Sequence, residues 1–302
     1  MPQKGVAVTG ANGHIGLQLI EQLLERDGDF QPIAIVRSAR AAKALEQRFG
    51  ERLQSRIVDY ANANELGDAL ADATLCIHLV GIIRQTSNAT YEDAHEKPCQ
   101  AIVDAAQSLE HVVYLSIIGV GEPGMANNEC LRSRDRAEQL LLNSSIPTSV
   151  LRVPMVLGLN DYASKALAAK ASSAVRFELR PSSLEQPIDS SDVVTALIQL
   201  LSGPTQKSHL IELAGPESIP RRELVARAAR VMGKRPGVMI GIPMWLGDFA
   251  ASLLGVLPAP PVTRDMLQIL NHDDAIDALA GAESLGISLT PLDETLRRVL
   301  TG

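Results

Sequence analysis

The sequence predicts an α/β protein built on a doubly wound parallel sheet, followed by a smaller, mostly helical lobe. Short, continuously apolar runs alternate with longer helical patterns through about the first 155 residues. Continuously apolar strands are typical of a parallel sheet that helices cover on both faces, and strands separated by helices form right-handed βαβ units. The predicted strands are Gly5–Thr9, Pro32–Arg37, Ser55–Asp59, Leu75–Val80, Val112–Ser116 and Thr148–Val153.

The chain changes in character after Pro154. Prolines become frequent, strand signals become sparse, and helical patterns remain at Asp192–Leu201, Arg221–Met232 and Leu292–Leu300. We therefore expect the sheet domain to comprise residues 1–155. Residues 156–302 are expected to form a smaller substrate or partner lobe, packed on the carboxyl edge of the sheet.

Composition and charge narrow the function classes. The 302 residues are 46% apolar, and 28 basic against 35 acidic side chains give a net charge of −7. Nucleic-acid binding calls for a basic face, so the acidic balance argues against it, and also against attraction to an anionic membrane. Cys76, Cys99 and Cys130 show no CxxC spacing, which argues against a disulfide framework or a zinc site, and we expect no metal. The first residues carry no signal-peptide pattern, so we expect a cytoplasmic protein.

One apolar stretch, Ile240–Leu257, contains the only tryptophan, Trp245. It is too short, and too interrupted by glycine and proline, for a membrane-spanning helix. One interpretation is a packed helix that lines a pocket. The other is a hydrophobic surface that meets a partner or a membrane interface.

The first strand runs into a glycine-rich turn. Residues 5–16 read GVAVTGANGHIG, with three glycines between the first strand and the first helix. Such spacing allows a tight turn, a close approach of the backbone to a pyrophosphate, and close packing of the helix on the strand. The amino end of the helix then offers free N–H groups to an anion. The residues expected to bind a dinucleotide here are Gly10, Asn12, Gly13, His14, Ile15 and Gly16.

The end of the second strand indicates which dinucleotide is bound. An Asp or Glu there would bind the ribose hydroxyls of NAD, but the sequence has Arg37, Ser38 and Arg40, and no carboxylate before Glu46. A guanidinium suits a 2′-phosphate because it forms bidentate, charge-assisted hydrogen bonds. NADP(H) is therefore the predicted cofactor, with NAD(H) as the alternative. The plain interpretation of Arg37 or Arg40 is a solvated charge at a helix start.

Further motifs follow at the ends of the later strands and in the second lobe. They are Asp59 in IVDY, LVG at 79–81, Ser116, LRVPMVLG at 151–158 and QPIDSSDVV at 186–194. Together with TGANGHIG they cover nearly the full chain, and they resemble the extended or atypical short-chain dehydrogenase/reductase family of NAD(P)-dependent epimerase/dehydratase type. The HLVGII run and the closing LGISLTPLDETL are most similar to the subgroup of the NADPH-binding accessory subunit of respiratory complex I. The resemblance implies a Rossmann-type fold.

The resemblance also implies where the cofactor lies. The glycine turn would line the pyrophosphate, and the arginine after the second strand would hold the adenosine phosphate. Asp59 and Tyr60 would flank the adenine, Val80 and Gly81 would pass beside the ribose, and Pro154 would touch the nicotinamide side.

The chain departs from the family at the catalytic pair. Family oxidoreductases use a Tyr and, four residues later, a Lys that lowers the phenol pKa and binds the ribose, helped by a Ser after the fifth strand. Here Ser116 matches, but Cys130 stands at the Tyr position and Arg134 at the Lys position, and no Tyr-x-x-x-Lys occurs elsewhere. Arg134 keeps the ability to bind a ribose hydroxyl but cannot share a proton at neutral pH. Cys130 is a weaker donor than Tyr, or a reactive thiolate if the neighbouring arginines lower its pKa.

Two functions therefore remain open. In the first, the chain binds NADP(H) as a structural or sensing ligand that supports a redox or quinone-linked complex, with peripheral contact to a membrane redox complex. In the second, it is an NADPH-dependent reductase, epimerase or dehydratase acting on a small carbonyl or quinone-type substrate, with Cys130 or a histidine of the cleft as the acid. The region around Met155–Gly158 and Gln186–Ser191 has only Arg176 and Arg180 nearby to bind a sugar-nucleotide diphosphate, which disfavours the epimerase.

Overall fold

The computed structural model describes residues 3–26, 29–86, 89–105, 108–203, 207–243, 245–247, 263–270 and 272–302. Its strands are, in chain order, β1 (Lys4–Thr9), β2 (Phe30–Val36), β3 (Gln54–Ile57), β4 (Leu75–His78), β5 (His111–Ile117), β6 (Thr148–Val153), β7 (Val156–Leu157), β8 (Val175–Leu179), β9 (Leu184–Glu185), β10 (Ile188–Asp189), β11 (His209–Glu212), β12 (Ile219–Pro220) and β13 (Val238–Ile242).

The described helices are α1 (His14–Glu25), α2 (Ala39–Phe49), α3 (Ala63–Leu70), α4 (Lys97–Asp104), α5 (Glu129–Leu142), α6 (Tyr162–Ser172), α7 (Ser190–Ser202), α8 (Arg221–Val231), α9 (Arg264–Leu270), α10 (Ala278–Leu285) and α11 (Leu292–Thr301). Short 3₁₀ turns cover Gly50–Arg52 and Pro123–Met125, and a π-helical turn, Glu92–Glu96, leads into α4. No helix among the described residues is both long and apolar enough to cross a membrane.

Seven of these strands form one parallel sheet in the order β11-β6-β5-β4-β1-β2-β3. The chain runs outward from β1 to β3 on one side and from β4 to β11 on the other. The strand order therefore reverses between β1 and β4, and a crevice opens at their carboxyl ends. The predicted Rossmann-type, doubly wound α/β fold is confirmed.

Helices cover both faces of this sheet. On one face, Val6 and Val8 of β1 pack in a buried cluster with side chains of α1, α2 and α7. On the other face, Ala7 and Cys76 pack with side chains of α3, α4 and α5. Because successive strand residues point to opposite faces, a strand buried on both sides must be apolar throughout, which is the pattern that the sequence shows.

All six predicted strands are confirmed, as are the three helices predicted after Pro154, now α7, α8 and α11. The seventh strand of the sheet, β11, was not predicted. It has four residues, His209–Glu212, pairs with β6 alone and stays partly exposed. A short edge strand needs no continuous apolar run, so its sequence carries little strand signal.

The chain beyond Pro154 builds a second layer beside the carboxyl edge of the sheet. Helices α6, α8 and α11 enclose a third apolar cluster that includes Leu157, Leu224 and Leu296. However, α7 and β11 return to the large sheet. The predicted division into residues 1–155 and 156–302 stays a prediction. Of the apolar stretch Ile240–Leu257, the first residues complete β13, and 248–257 lie outside the described residues.

We expect the Gly16→Ala variant to unfold more easily. An added Cβ would lie 2.6 Å from the Gly10 carbonyl oxygen and 2.8 Å from the Ala11 Cα, so α1 would have to move away from the turn. Overpacking of this kind costs about 1–3 kcal/mol of the free energy of unfolding, measured by urea denaturation. Gly124→Ala is the matched control, because a Cβ there meets nothing within 4 Å. Equal stability of the two variants would contradict the close approach.

Candidate functional site

The glycine turn at the end of β1 is hydrogen-bonded to a buried tyrosine. Gly10 has φ +72°, a conformation that favours glycine, and its carbonyl accepts a hydrogen bond from Gly13 N at 2.9 Å. The buried Tyr60 hydroxyl accepts from Gly10 N at 2.9 Å and donates to the Ile35 carbonyl at 2.6 Å. Tyr60 therefore ties the turn to β2, and burial raises the pKa of its phenol. The predicted contact of Tyr60 with adenine stays a prediction.

Helix α1 begins directly at this turn. Gly13 is its N-cap and provides no side-chain hydrogen bond, while Asn12 and Gly13 are exposed. The first N–H groups of a helix have no partner within the helix, so this end suits an anion such as a pyrophosphate. His14 turns toward the second lobe, where a Cβ on Gly158 would collide with its ring.

The predicted adenosine-side residues lie at the carboxyl ends of β2 and β3. Arg37 and Arg40 are exposed, and Ser38 caps α2 by accepting from Ala41 N at 3.3 Å. The positive charge of Arg37 opposes the rise in the pKa of the Tyr60 phenol. Asp59 is exposed at the end of β3.

The end of β4 meets the guanidinium of Arg134 from α5. A Cβ on Gly81 would collide with that guanidinium, whose Cζ would lie only 3.0 Å away. Arg134 is buried and its Nε has no hydrogen-bond partner. Within the described part of the chain, no carboxylate forms an ion pair with Arg134. The structure thus brings together the predicted Gly81 and Arg134, and leaves a buried positive charge beside the cleft.

Two histidines beside Arg134 are uncharged. Burial, together with the Arg134 charge, lowers the pKa of His78 and of His95 to about 3, so both rings are neutral at pH 7. His78 shares a 2.7 Å hydrogen bond with the Thr9 hydroxyl and stacks on Tyr114, whose phenol pKa burial raises. No neighbouring side chain here balances the guanidinium. A negatively charged dinucleotide in the cleft would do so, and the residues present fit it.

Cys130, one turn before Arg134, is buried as a thiol. Its Sγ lies 3.5 Å from the Ile82 carbonyl, and burial raises its pKa even though Arg134 opposes the rise. The thiolate interpretation, which required a lowered pKa, is therefore wrong. The net effect is set by burial, because the Arg134 charge does not outweigh the loss of hydration.

Ser116 is engaged elsewhere. Its hydroxyl donates to the Glu138 carboxylate at 2.6 Å, and this fully buried carboxylate also pairs with Arg152 at 2.6 Å. The cavity wall at this strand end is formed by the next two residues, Ile117 and Ile118. The structure therefore does not bring Ser116 into the cavity, and its predicted role stays a prediction.

A cavity of about 440 Å³ adjoins the cleft. It lies between the carboxyl ends of β5 and β6 and the helices α6, α8 and α9, and apolar side chains dominate its wall. Pro154, predicted on the nicotinamide side, forms part of that wall beside Met155. Of the region around Met155–Gly158 that was considered from the sequence for substrate binding, Met155 and Val156 line the cavity. The rest of the wall comes from segments far apart in the chain, which local patterns do not bring together.

The polar end of the cavity carries charged side chains, which form ion pairs with one another. Lys170 pairs with Glu178 at 2.7 Å, and Arg221 pairs with Glu185 at 2.6 Å. Burial raises the pKa of Glu185, although Arg221 opposes the rise. These cations already have carboxylate partners, so the cavity offers no cluster of free positive charge for a diphosphate. Arg176 and Arg180 do not provide one either: Arg176 donates to the Gly237 carbonyl, and Arg180 pairs with Asp273.

His272 closes one side of the cavity. Its Nδ1 lies 3.1 Å from Asp274 Oδ1 and its Nε2 lies 2.7 Å from Glu122 Oε2. Glu122 follows β5, whereas His272 follows α9, so the imidazolium clamps α9 to the sheet domain. Asn128 supports the same closure through hydrogen bonds to the Asp265 carbonyl and to Gln268.

The chain belongs to the NAD(P)H-binding family, whose model matches residues 10–204. This match spans more than half of the chain and includes the glycine turn, the β4 end and α5. No curated protein sequence matches the chain.

Solved structures share the whole fold. The triphenylmethane reductase of Citrobacter sp. complexed with NADP(H) is 20% identical, with a TM-score of 0.76 over 98% of this chain and 100% of that one. The NADPH-dependent quinone oxidoreductase QOR2 of Escherichia coli is 21% identical, with a TM-score of 0.71 over 96% and 98%. UDP-N-acetylglucosamine 4-epimerase of Bacillus cereus is 17% identical, with a TM-score of 0.72 over 99% and 100%. At these identities the likeness establishes the fold.

We expect the His272 clamp to make stability fall at alkaline pH. Hydrogen bonds that the His272 imidazolium donates to Asp274 and Glu122 raise the pKa of His272 from 6.5 to about 9. A raised pKa means that the stabilisation is complete below about pH 6.5 and is lost as the pH rises through about 9. Since solvent reaches part of the cluster, we expect a loss on the order of 1 kcal/mol in the free energy of unfolding. Urea denaturation across this range should show it in the unmodified protein and not in His272→Gln; an equal loss in both would contradict the clamp.

Proposed function

We propose that this member of the NAD(P)H-binding family holds NADP(H) across the carboxyl edge of its sheet and reduces an uncharged, apolar acceptor of quinone type in the adjoining cavity. The observation that carries the proposal is the position of the cavity. It opens at the strand ends beside Pro154, next to the cleft in which Arg134 has no counter-charge.

Different residues of the chain would bind different parts of the nucleotide. The N–H groups at the start of α1 would receive the pyrophosphate, and Gly10 and Gly16 keep the backbone close to it. Arg37 would pair with the 2′-phosphate, which favours NADP(H) over NAD(H). Arg134 would donate a hydrogen bond to the nicotinamide ribose. The negative charge of the phosphates would then balance the positive charge of its guanidinium.

The cavity favours an acceptor that needs no acid from the protein during the transfer. NADPH supplies a hydride when bound. Cys130 and Ser116 are both buried and do not line the cavity, so neither is placed to protonate a ketone or aldehyde oxygen as hydride arrives. The His272 imidazolium does line the cavity, but both of its N–H groups already donate to the carboxylates of Asp274 and Glu122. A quinone becomes a phenolate, whose conjugate acid has a pKa of about 10 and which therefore takes its proton from water. The reductase neighbours described above, one of them a quinone oxidoreductase, support this acceptor class.

The apolar wall also supports this class over sugar nucleotides. A sugar-nucleotide diphosphate needs free cations, and the cations of the cavity already pair with Glu178 and Glu185. An apolar ring gains instead from displacing water against side chains such as Ile118 and Leu224.

A second candidate is favoured by the replaced pair itself. Cys130 and Arg134 cannot act as the family's Tyr and Lys do, so NADP(H) could serve as a structural or sensing ligand that supports a redox or quinone-linked complex. Membership of the complex I accessory subgroup would fit this candidate and stays a prediction, as does the cytoplasmic location expected for either candidate.

We expect Arg37→Ala to abolish the preference for NADP(H). Loss of the guanidinium should raise the dissociation constant for NADPH by roughly tenfold or more and leave that for NADH nearly unchanged, because only NADPH carries the 2′-phosphate. Calorimetric titration measures both constants. Arg48→Ala is the control, since Arg48 lies at the far end of α2 and pairs with Glu21. A parallel loss for both nucleotides would contradict this role of Arg37.

Turnover distinguishes the two candidate functions. Mass spectrometry of the native and the denatured protein identifies any retained nucleotide, after which NADPH absorbance is followed with quinones and aldehydes. We expect quinone-dependent oxidation without aldehyde-dependent oxidation. Ile118→Trp should fill part of the cavity and lower kcat/KM for the quinone by roughly tenfold or more, with NADPH affinity kept.

The control for this variant is Ile57→Trp, since Ile57 is exposed at the end of β3 on the far side of the sheet. NADP(H) that stays bound, and is neither exchanged nor oxidised with any quinone, would overturn the reductase in favour of a structural or sensing ligand.

A further inference from the structure

A two-stranded sheet in the second lobe exposes an apolar face. Strands β8 and β13 pair in parallel, with Val175 opposite Val238 and Phe177 opposite Ile240. Alternate residues of a strand share a face, so these four side chains form one surface. Their exposed fractions are 56% for Val175, 66% for Phe177, 62% for Val238 and 42% for Ile240. On the other face, Arg176 is buried and Glu178 lines the cavity.

Two further apolar side chains extend this surface. Trp245 is 66% exposed and Leu246 is 39% exposed, just beyond the end of β13. The adjacent Gly247 lies against Leu179 at the end of β8, which holds this segment beside the pair of strands. The apolar strip is hereafter the set Val175, Phe177, Val238, Ile240, Trp245 and Leu246.

Two exposed cations lie beside the apolar strip, although the whole chain carries a net charge of −7. They are Lys234 and Arg235, which precede β13, and Lys234 Nζ donates to the Ser172 hydroxyl at 2.6 Å, beside the start of β8. Among the described residues, no carboxylate forms an ion pair with either cation. Arg180, at the other end of β8, pairs instead with Asp273.

We propose that the apolar strip docks the protein on an anionic lipid surface. Exposed Phe, Ile and Val gain from entering the interfacial region, and a tryptophan with cations beside it suits the boundary between headgroups and acyl chains. Each Lys or Arg near an anionic leaflet adds attraction, so Lys234 and Arg235 attract this face to the leaflet, whereas charges elsewhere on the chain are screened beyond about 10 Å. The expectation from net charge that the protein avoids anionic membranes does not extend to this face.

Docking through the apolar strip would place the cavity close to the lipid. The strip and the cavity wall are opposite faces of the same strand, β8, through Phe177 and Glu178. A docked protein therefore holds its cavity next to the lipid phase, in which apolar acceptors dissolve. Docking itself does not depend on turnover, so it can be tested without a substrate.

The test is co-sedimentation of the full-length protein with vesicles of phosphatidylcholine, alone and mixed with phosphatidylglycerol. We expect binding to the mixed vesicles that weakens as salt is raised. Phe177→Ser should lower the partition coefficient by roughly tenfold, because the aromatic side chain no longer enters the interface. Leu279→Ser is the matched control: Leu279 is 69% exposed on α10, outside the strip.

A second variant separates charge from apolar contact. The double change Lys234→Gln and Arg235→Gln should lower binding to the mixed vesicles by roughly tenfold, and leave the weak binding to phosphatidylcholine unchanged. NADPH affinity should be the same in every variant, because none of these residues lies at the cleft.

Three results would overturn the proposal. The first is absence of binding to the mixed vesicles, or equal binding of Phe177→Ser and Leu279→Ser. The second is self-association by sedimentation velocity that Phe177→Ser abolishes, without vesicle binding, which would assign the strip to a second copy of the chain. The third is a loss of thermal stability in Phe177→Ser much beyond that of Leu279→Ser, with vesicle binding unchanged, which would mean that the protein itself covers the strip.

Discussion

The buried guanidinium of Arg134 is the constraint on which the arrangement of the cleft depends. Burying an ion without a partner costs several kcal/mol, yet its neighbours His78 and His95 are neutral, and no described carboxylate pairs with it. The guanidinium occupies the space that a Cβ on residue 81 would need, so a glycine fits at this position. The charge must therefore be balanced from the open side of the cleft. The exposed Arg37 and the uncapped start of α1 face the same carboxyl edge, so all three features suit one polyanionic ligand.

Local sequence patterns were sufficient for six of the seven strands of the sheet and for the glycine turn. The strands are apolar on both faces and the glycines follow β1 directly, so composition and spacing predicted them. Arg134 and Gly81, both predicted at the ribose, do lie side by side, while their role in binding stays a prediction. Contacts between distant segments were not predictable. Tyr60 beneath the turn, Ser116 on Glu138 and the edge strand β11 each depend on which elements become neighbours.

In the second lobe, too, contacts between distant segments decide the structure, and local sequence patterns do not predict them. The alternation in VRFEL and VMIGI separates two faces of each strand, but the pairing of residues 63 positions apart decides that the apolar faces align. One side of that pair contributes Glu178 to the cavity, and the other remains exposed. Strand β8 therefore contributes Glu178 to a cavity whose charges are paired with one another and Phe177 to an exposed apolar surface. Both features suit an acceptor of low polarity.

A crystal structure of the complex with NADP⁺ would show directly what balances the charge of Arg134. We expect the Arg134 guanidinium within hydrogen-bond distance of the nicotinamide ribose, the start of α1 in contact with the pyrophosphate, and the nicotinamide facing the cavity beside Pro154. A structure in which the nucleotide leaves Arg134 without a contact, or in which Arg134 pairs with a carboxylate of the protein, would contradict this expectation.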